Sequence, residues 1–222
     1  MKPFRLDHDR LRGAVLPLVP GAAAADGPDA PDDAEVVARF AAGAWTVLPE
    51  PGDGAAGWAR TLLGDVRALE LLVEGADAAT WARELDDPEA ARSIAAALPR
   101  WRPRLDAGRI LRAFAQGAAF GQRLLTRADA HWPAGLDDLG PHAPAAVWVR
   151  GDAAALERCG RSAALVGSRA SSGYGELVAG QLAAGLVDRG FAVVSGGAYG
   201  IDGTAHRAAL SAGGTTVAVL AG

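Results

Sequence analysis

Apolar residues recur at helical spacing through the first half of the chain and gather into short continuous runs in the last third. Val36, Val37 and Phe40 open the first periodic stretch. Leu62, Leu63, Val66 and Leu69 open a second, which continues through Leu71, Leu72 and Val73 to Gly75, placed as a C-terminal cap. Residues 78–98 predict one or two shorter helices broken at Asp87-Pro88. Together, residues 34–105 predict a small all-helical module. A further helix at 109–120 is stopped by Gly121. Short strands follow at 123–126 and 145–150, the second ending in the turn Gly151-Asp152. Residues 106–160 are therefore expected to lead into the next domain.

From Arg161 the pattern changes. Residues 163–166 and 191–194 are continuous apolar runs, as expected of strands covered on both faces. Between them, residues 174–189 predict a helix with Val178, Leu182 and Leu186 in one line and Gly175 on the same row. A second helix is predicted at 202–211, with Asp202 as its N-cap and Gly213 just past its end, and a third strand at 215–220. The order βαβαβ implies a parallel sheet with right-handed crossovers, an α/β domain over 161–222.

The chain has 222 residues, half of them hydrophobic and 22% charged, which suits packed globular structure and excludes wholesale disorder. No uncharged apolar run reaches the roughly 18–20 residues needed to cross a bilayer, and a cytoplasmic protein is expected. The first 33 residues are expected to be a flexible tail ending in the turn-rich linker 21–33. The apolar run 13–25 faintly resembles a secretion signal, but Pro17, Pro20, Asp7 and Asp9 argue against one. All six tryptophans precede residue 150, and core packing is the expected role. Cys159 is the only cysteine, so an intramolecular disulfide and a Cys-rich zinc site are excluded, and a neutral structural thiol is expected. The four histidines have no metal-ligand spacing, and no cofactor is expected. A net charge of −4 argues against coating nucleic acid by bulk charge. Residues 161–222, however, carry four arginines against three acids, which leaves room for a local anion site.

Two small-residue loops leave the carboxyl ends of the predicted strands, where open α/β sheets bind ligands. Residues 167–173 read GSRASSG, and residues 195–202 read SGGAYGID. Each runs from a buried strand into a helix start, so free amides and the helix dipole favour an anion. Arg169 adds a guanidinium able to grip phosphate with two hydrogen bonds. The first loop is not GxGxxG, no acid ends the second strand, and no GxxxxGK[ST] loop or nucleophile elbow is present. Dinucleotide binding, ATP hydrolysis and acyl transfer are therefore disfavoured. His206 fits a packing or capping role better than a base. Tyr199 is open to two readings, a packed aromatic or a platform for an unpaired base.

Residues 164–169, 174–175, 193–202, 205–206 and 213–220, with 121–126, 131–133, 136–139 and 147–151 upstream, closely resemble the DNA-processing protein A (DprA/Smf) family. The resemblance is strong over about 110–222 and weak over 34–109. It implies an extended Rossmann-like fold preceded by a sterile-alpha-motif-like helical module. It also implies a protein that binds single-stranded DNA and loads the RecA recombinase onto it during natural transformation, without covalent chemistry. The family's DNA pocket would be carried here by Gly167, Ser168, Arg169, Ser195, Gly196, Gly197, Ala198, Tyr199, Gly200 and Asp202, with the amides of Ser168, Gly197 and Ala198 cradling phosphates.

Two departures matter. Many relatives carry lysine where Tyr199 stands, so one phosphate cation is missing. Relatives also continue past the position of Gly222 into the part thought to dimerise and meet RecA, so the chain is expected to be truncated and a homodimer would lack its usual contacts. Two alternatives are kept. One is a phosphoribohydrolase-like enzyme, disfavoured because no PGGxGTxxE loop with its working glutamate is present. The other is an inert fragment.

Overall fold

The computed structural model describes residues 4, 6–19 and 31–220. The linker read over 21–33 lies, apart from 31–33, outside them. The chain divides into two compact units, Met1–Trp132 with Leu136–Gly151, and Pro133–Gly135 with Asp152–Gly222.

Unit 1 is built from helices α1 (His8–Val15), α2 (Asp33–Trp45), α3 (Gly54–Val73), α4 (Ala78–Leu85), α5 (Pro88–Trp101) and α6 (Ala107–Ala119), with strands β1 (Arg123–Leu125) and β2 (Val147–Val149). The helices begin by one device. Asp7, Asp32, Asp53, Asp77, Asp87 and Asp106 each sit at an N-cap, and each carboxylate accepts a first-turn N–H. Much of the chain's acidic excess is spent there. Helix α3 is broken at Gly64, whose φ of +79 the spacing of leucines did not reveal. Gly75 ends α3 as expected, and the Ala76 amide returns to the Leu71 carbonyl at 2.9 Å.

Two expectations change here. The reading of residues 1–33 as a flexible tail fails at 6–19. Leu11 and Val15 on α1, with Leu18 in the turn after it, are buried in the main core because they recur at helical spacing on one face. Helix α6 and the antiparallel pair β1–β2 also belong to this core, rather than leading into the sheet domain. Ile110, Phe114, Leu124, Ala145 and Ala146 join the same buried cluster. Trp148 packs edge-on against Phe114 at 5.5 Å, and its indole N–H donates to Thr46 Oγ1 at 3.0 Å. Trp45, Trp81 and Trp101 are likewise core residues, whereas Trp58 is exposed.

One ionic group ties this unit together. Arg39 on α2 makes a two-pronged contact with Asp129 (2.9 and 2.7 Å), donates its Nε–H to Glu35 one turn back (2.9 Å) and donates to the Leu124 carbonyl. Asp129 in turn receives the Thr126 amide and hydroxyl. Burial alone would raise the Asp129 carboxyl. The hydrogen bonds from Arg39 and the Thr126 amide outweigh that and hold it below its ordinary value.

Unit 2 holds strands β3 (Ser162–Ala164), β4 (Ala192–Ser195) and β5 (Thr216–Ala218), all parallel in the order β3-β4-β5, with α7 (Gly173–Asp188) and α8 (Ile201–Ser211) as crossovers. Helices α7 and α8 pack on each other and on β4, so they share one face of the sheet. Val193, Ala183, Ala205 and Ala209 are the buried centre of that contact. The expectation of strands covered on both faces does not hold within this unit, because two successive crossovers in one direction place both helices on the same side. On the other side Ala164 is exposed and Val166 is 72% exposed.

The face that α7 buries also differs from the line Val178, Leu182 and Leu186. The fully buried positions are Ala179 and Ala183, and Leu182 is 54% exposed. Helix α7 is apolar nearly all round, so periodicity does not choose a face. Small residues do: a side chain at Gly180 would meet Ala208 and Thr204 of α8 at 4.0 Å. Close approach of the two helices decides the packing.

Candidate nucleic-acid interface

The two sequence-selected loops do run from β3 into α7 and from β4 into α8, and the structure joins them. We refer to residues 167–172 as L1 and 196–200 as L2. The Ile201 amide donates to the Ser168 carbonyl at 3.2 Å. Gly200, with φ +78, lies so close to L1 that a Cβ there would stand 2.3 Å from the Ser168 oxygen and 2.6 Å from the Arg169 oxygen. From the other side, a Cβ on Gly167 would stand 2.7 Å from the Ile201 side chain. Glycine at 167 and 200 is thus what lets the loops touch.

At their roots the loops are also tied. Ser195 donates its hydroxyl to the Leu165 carbonyl at 2.5 Å and is 3% exposed. Ser195 therefore braces the strand ends and does not face a ligand. L1 enters α7 through a capped start, with the Gly175 amide on Ser172 Oγ at 3.1 Å and Ser171 Oγ donating to Glu176 at 2.6 Å.

Asp202 departs from its expected role. Helix α8 starts at Ile201 with Gly200 at the N-cap, and no side chain caps it. The Asp202 carboxylate is buried one position further in, where it accepts the Ala198 amide at 3.4 Å and fills the space beside Gly196. It shapes L2 from behind, and the Ala198 amide is already engaged. The amides of Ser168 and Gly197 have no acceptor among the described residues.

What remains outward is coherent. Arg169 is exposed and has no ion-pair partner among the described residues. Tyr199, next to the junction glycine, is 88% exposed, so it is not a packed aromatic. Sequence reasoning passed over Arg207. Its guanidinium donates to Thr204 Oγ1 at 3.0 Å. The point a Gly203 Cβ would occupy lies 3.2 Å from its Nη1 and 3.5 Å from the Ala198 oxygen. Arg207 thus folds along the bare flank of Gly203 toward L2. The signal in sequence was Gly203-Thr204, one turn before an arginine on a helix that begins at a loop.

Elsewhere the chemistry is quiet. Burial raises the Cys159 thiol, in line with a neutral cysteine. Among the described residues no group of three or more His, Cys, Asp or Glu could hold a metal ion, and no helix is long and apolar enough to cross a membrane.

Comparison with known proteins converges on the same segment. Residues 123–222 match the family model for DNA recombination-mediator protein A. A DprA relative from Mycobacterium tuberculosis is 53% identical over an alignment covering 46% of this chain and 29% of that protein. The DNA processing protein DprA of Bacillus subtilis is 39% identical over 36% of this chain and 26% of its own length. Protein Smf of Escherichia coli is 46% identical over 35% of this chain and 20% of its own. The chain spans less than a third of the length of these curated relatives. The X-ray structure of DNA processing protein A from Streptococcus pneumoniae superposes with a TM-score of 0.50 at 21% identity, covering 83% of this chain and 57% of that one, and so shares the fold. Over residues 123–222, this chain is similar to the DNA recombination-mediator protein A (DprA/Smf) family.

Proposed function

We propose that the chain binds single-stranded DNA at the L1–L2 junction, as part of a mediator that passes the strand to a RecA recombinase. One observation carries the proposal. Two loops fused at Ser168–Ile201 present free amides, an unpaired guanidinium and an exposed aromatic within a few residues of each other. Arg169 contacts phosphate, and the Ser168 and Gly197 amides cradle it. Tyr199 stacks on a base, a contact worth roughly 1–3 kcal/mol. Stacking needs an unpaired base, so the site selects single strands over duplex. Arg207 supplies a second cation near L2, which offsets tyrosine standing where many relatives carry lysine. Asp202 and Ser195 hold the loop. Binding involves no covalent step. RecA and a second copy of the chain are the proposed protein partners, and they rest on the family resemblance alone.

Fluorescence anisotropy with labelled oligo-dT, repeated across a salt series, tests this. The parent chain should bind single strands more tightly than a duplex of equal length. Arg169→Ala should weaken binding and reduce the salt slope by about 0.7, one phosphate contact on a single strand. Arg207→Ala should act in the same direction with a smaller loss of affinity. Equal binding by parent and Arg169→Ala at every salt concentration would sink the reading.

A further inference from the structure

His206 is half-buried beneath L2, and both of its ring nitrogens are engaged. Its Nε2 stands 2.8 Å from the Gly196 carbonyl, and its Nδ1 stands 2.7 Å from Thr216 Oγ1 on β5. A carbonyl oxygen only accepts, so Nε2 carries the proton and donates. Thr216 Oγ1 also lies 3.0 Å from the Val193 carbonyl on β4. The imidazole is therefore held between Thr216 on β5 and L2, the threonine itself tied to β4, and Nε2 is the nitrogen that bears a proton.

The peptide joining Gly196 to Gly197 is planar and trans, as are all the described peptide bonds. In a trans peptide the carbonyl and the following N–H point in opposite directions. Pinning the Gly196 oxygen down onto His206 therefore turns the Gly197 N–H up and away. That amide has no acceptor among the described residues, and Gly197 is exposed. Without the imidazole, a peptide flanked by two glycines is free to rotate and lose this direction.

We propose that His206 is a positioning residue for the anion site: it sets the orientation of the Gly196–Gly197 peptide and so aims the Gly197 amide at a phosphate oxygen of the bound strand. Thr216 supports it by fixing the ring. This deepens the single-stranded DNA reading and rests on it.

Two side chains of different reach separate aiming from mere packing. The glutamine amide nitrogen is the same number of bonds from Cα as Nε2, whereas that of asparagine reaches only the Nδ1 position. Oligo-dT affinity and thermal melts are measured for the parent, His206→Ala, His206→Gln, His206→Asn, Thr216→Val and Arg169→Ala. Loss of one amide contact to a charged oxygen predicts a roughly tenfold or greater loss of affinity in His206→Ala. His206→Asn should lose as much, and His206→Gln should recover most of it. Thr216→Val, which leaves the Gly196 contact in place, should fall between parent and His206→Ala while melting cooperatively. If His206→Gln and His206→Asn bind alike, or if Thr216→Val and His206→Ala both bind like the parent while Arg169→Ala is weakened, the positioning role is overturned and the DNA site stands. If Arg169→Ala is not weakened either, the DNA reading itself fails.

Discussion

Asp129→Ala is expected to destabilise the helical unit by about 3–5 kcal/mol, toward the lower figure because Glu35 still contacts Arg39. Removing the carboxylate leaves a guanidinium on α2 whose side chain is only 8% exposed, and it takes the acceptor from the Thr126 amide as well. The cost comes from the stranded charge more than from the lost attraction. A thermal melt should fall by roughly 10 °C. The pH dependence has a definite sign. The Asp129 carboxyl is held below its ordinary value, so its contribution is present above the unfolded value and is lost as pH falls through the folded one. The parent should therefore lose stability below about pH 4 more steeply than Asp129→Ala does. Superimposable melts of parent and variant at neutral pH would show that the Arg39 group does not hold the unit together.

Gly200→Ala is the second large effect, and it acts on the site. The residue has φ +78 and ψ −125, a conformation closed to side chains, which costs roughly 1–3 kcal/mol when forced on alanine. The added methyl would also meet two backbone oxygens of L1 at 2.3 and 2.6 Å, and backbone does not step aside as a flexible side chain would. The loops must part. Oligo-dT affinity should drop at least as far as in Arg169→Ala, and the sheet unit should melt earlier, whereas the helical unit should be unaffected. Unchanged affinity would mean that contact between L1 and L2 is not what makes the site.

Much of this architecture was legible because the signals were local. Helix ends were marked by Gly75 and Gly121, the break between α4 and α5 by Asp87-Pro88, and the parallel strands by short apolar runs between glycine loops. The loops themselves could be found because glycine and serine at strand ends leave amides bare. What could not be read was the choice among equivalent faces. Leu177, Val178, Leu182 and Leu186 offer α7 more than one apolar side, and only the fit of Gly180 and Ala183 against α8 selects the buried one. Asp202 looked like a cap because it is the acid nearest the helix start. The start moved one residue earlier because Gly200 alone tolerates the contact with L1. Helix α1 was hidden by Pro17 and Pro20, although Leu11, Val15 and Leu18 carried its spacing. The partners of His206 lie on two other elements, ten residues away in each direction, so no local pattern announces them.

The central claim is that one anion-binding surface, made by L1 and L2 together, receives an unpaired strand. Amide chemical shifts of the ¹⁵N-labelled chain, followed during addition of a short oligo-dT, test it most directly. The account predicts shifts concentrated at Ser168, Arg169, Gly197, Tyr199 and Gly200, with little change on helices α1–α6. Saturable binding whose shifts fall on the helical unit, or on only one of the two loops, would contradict it.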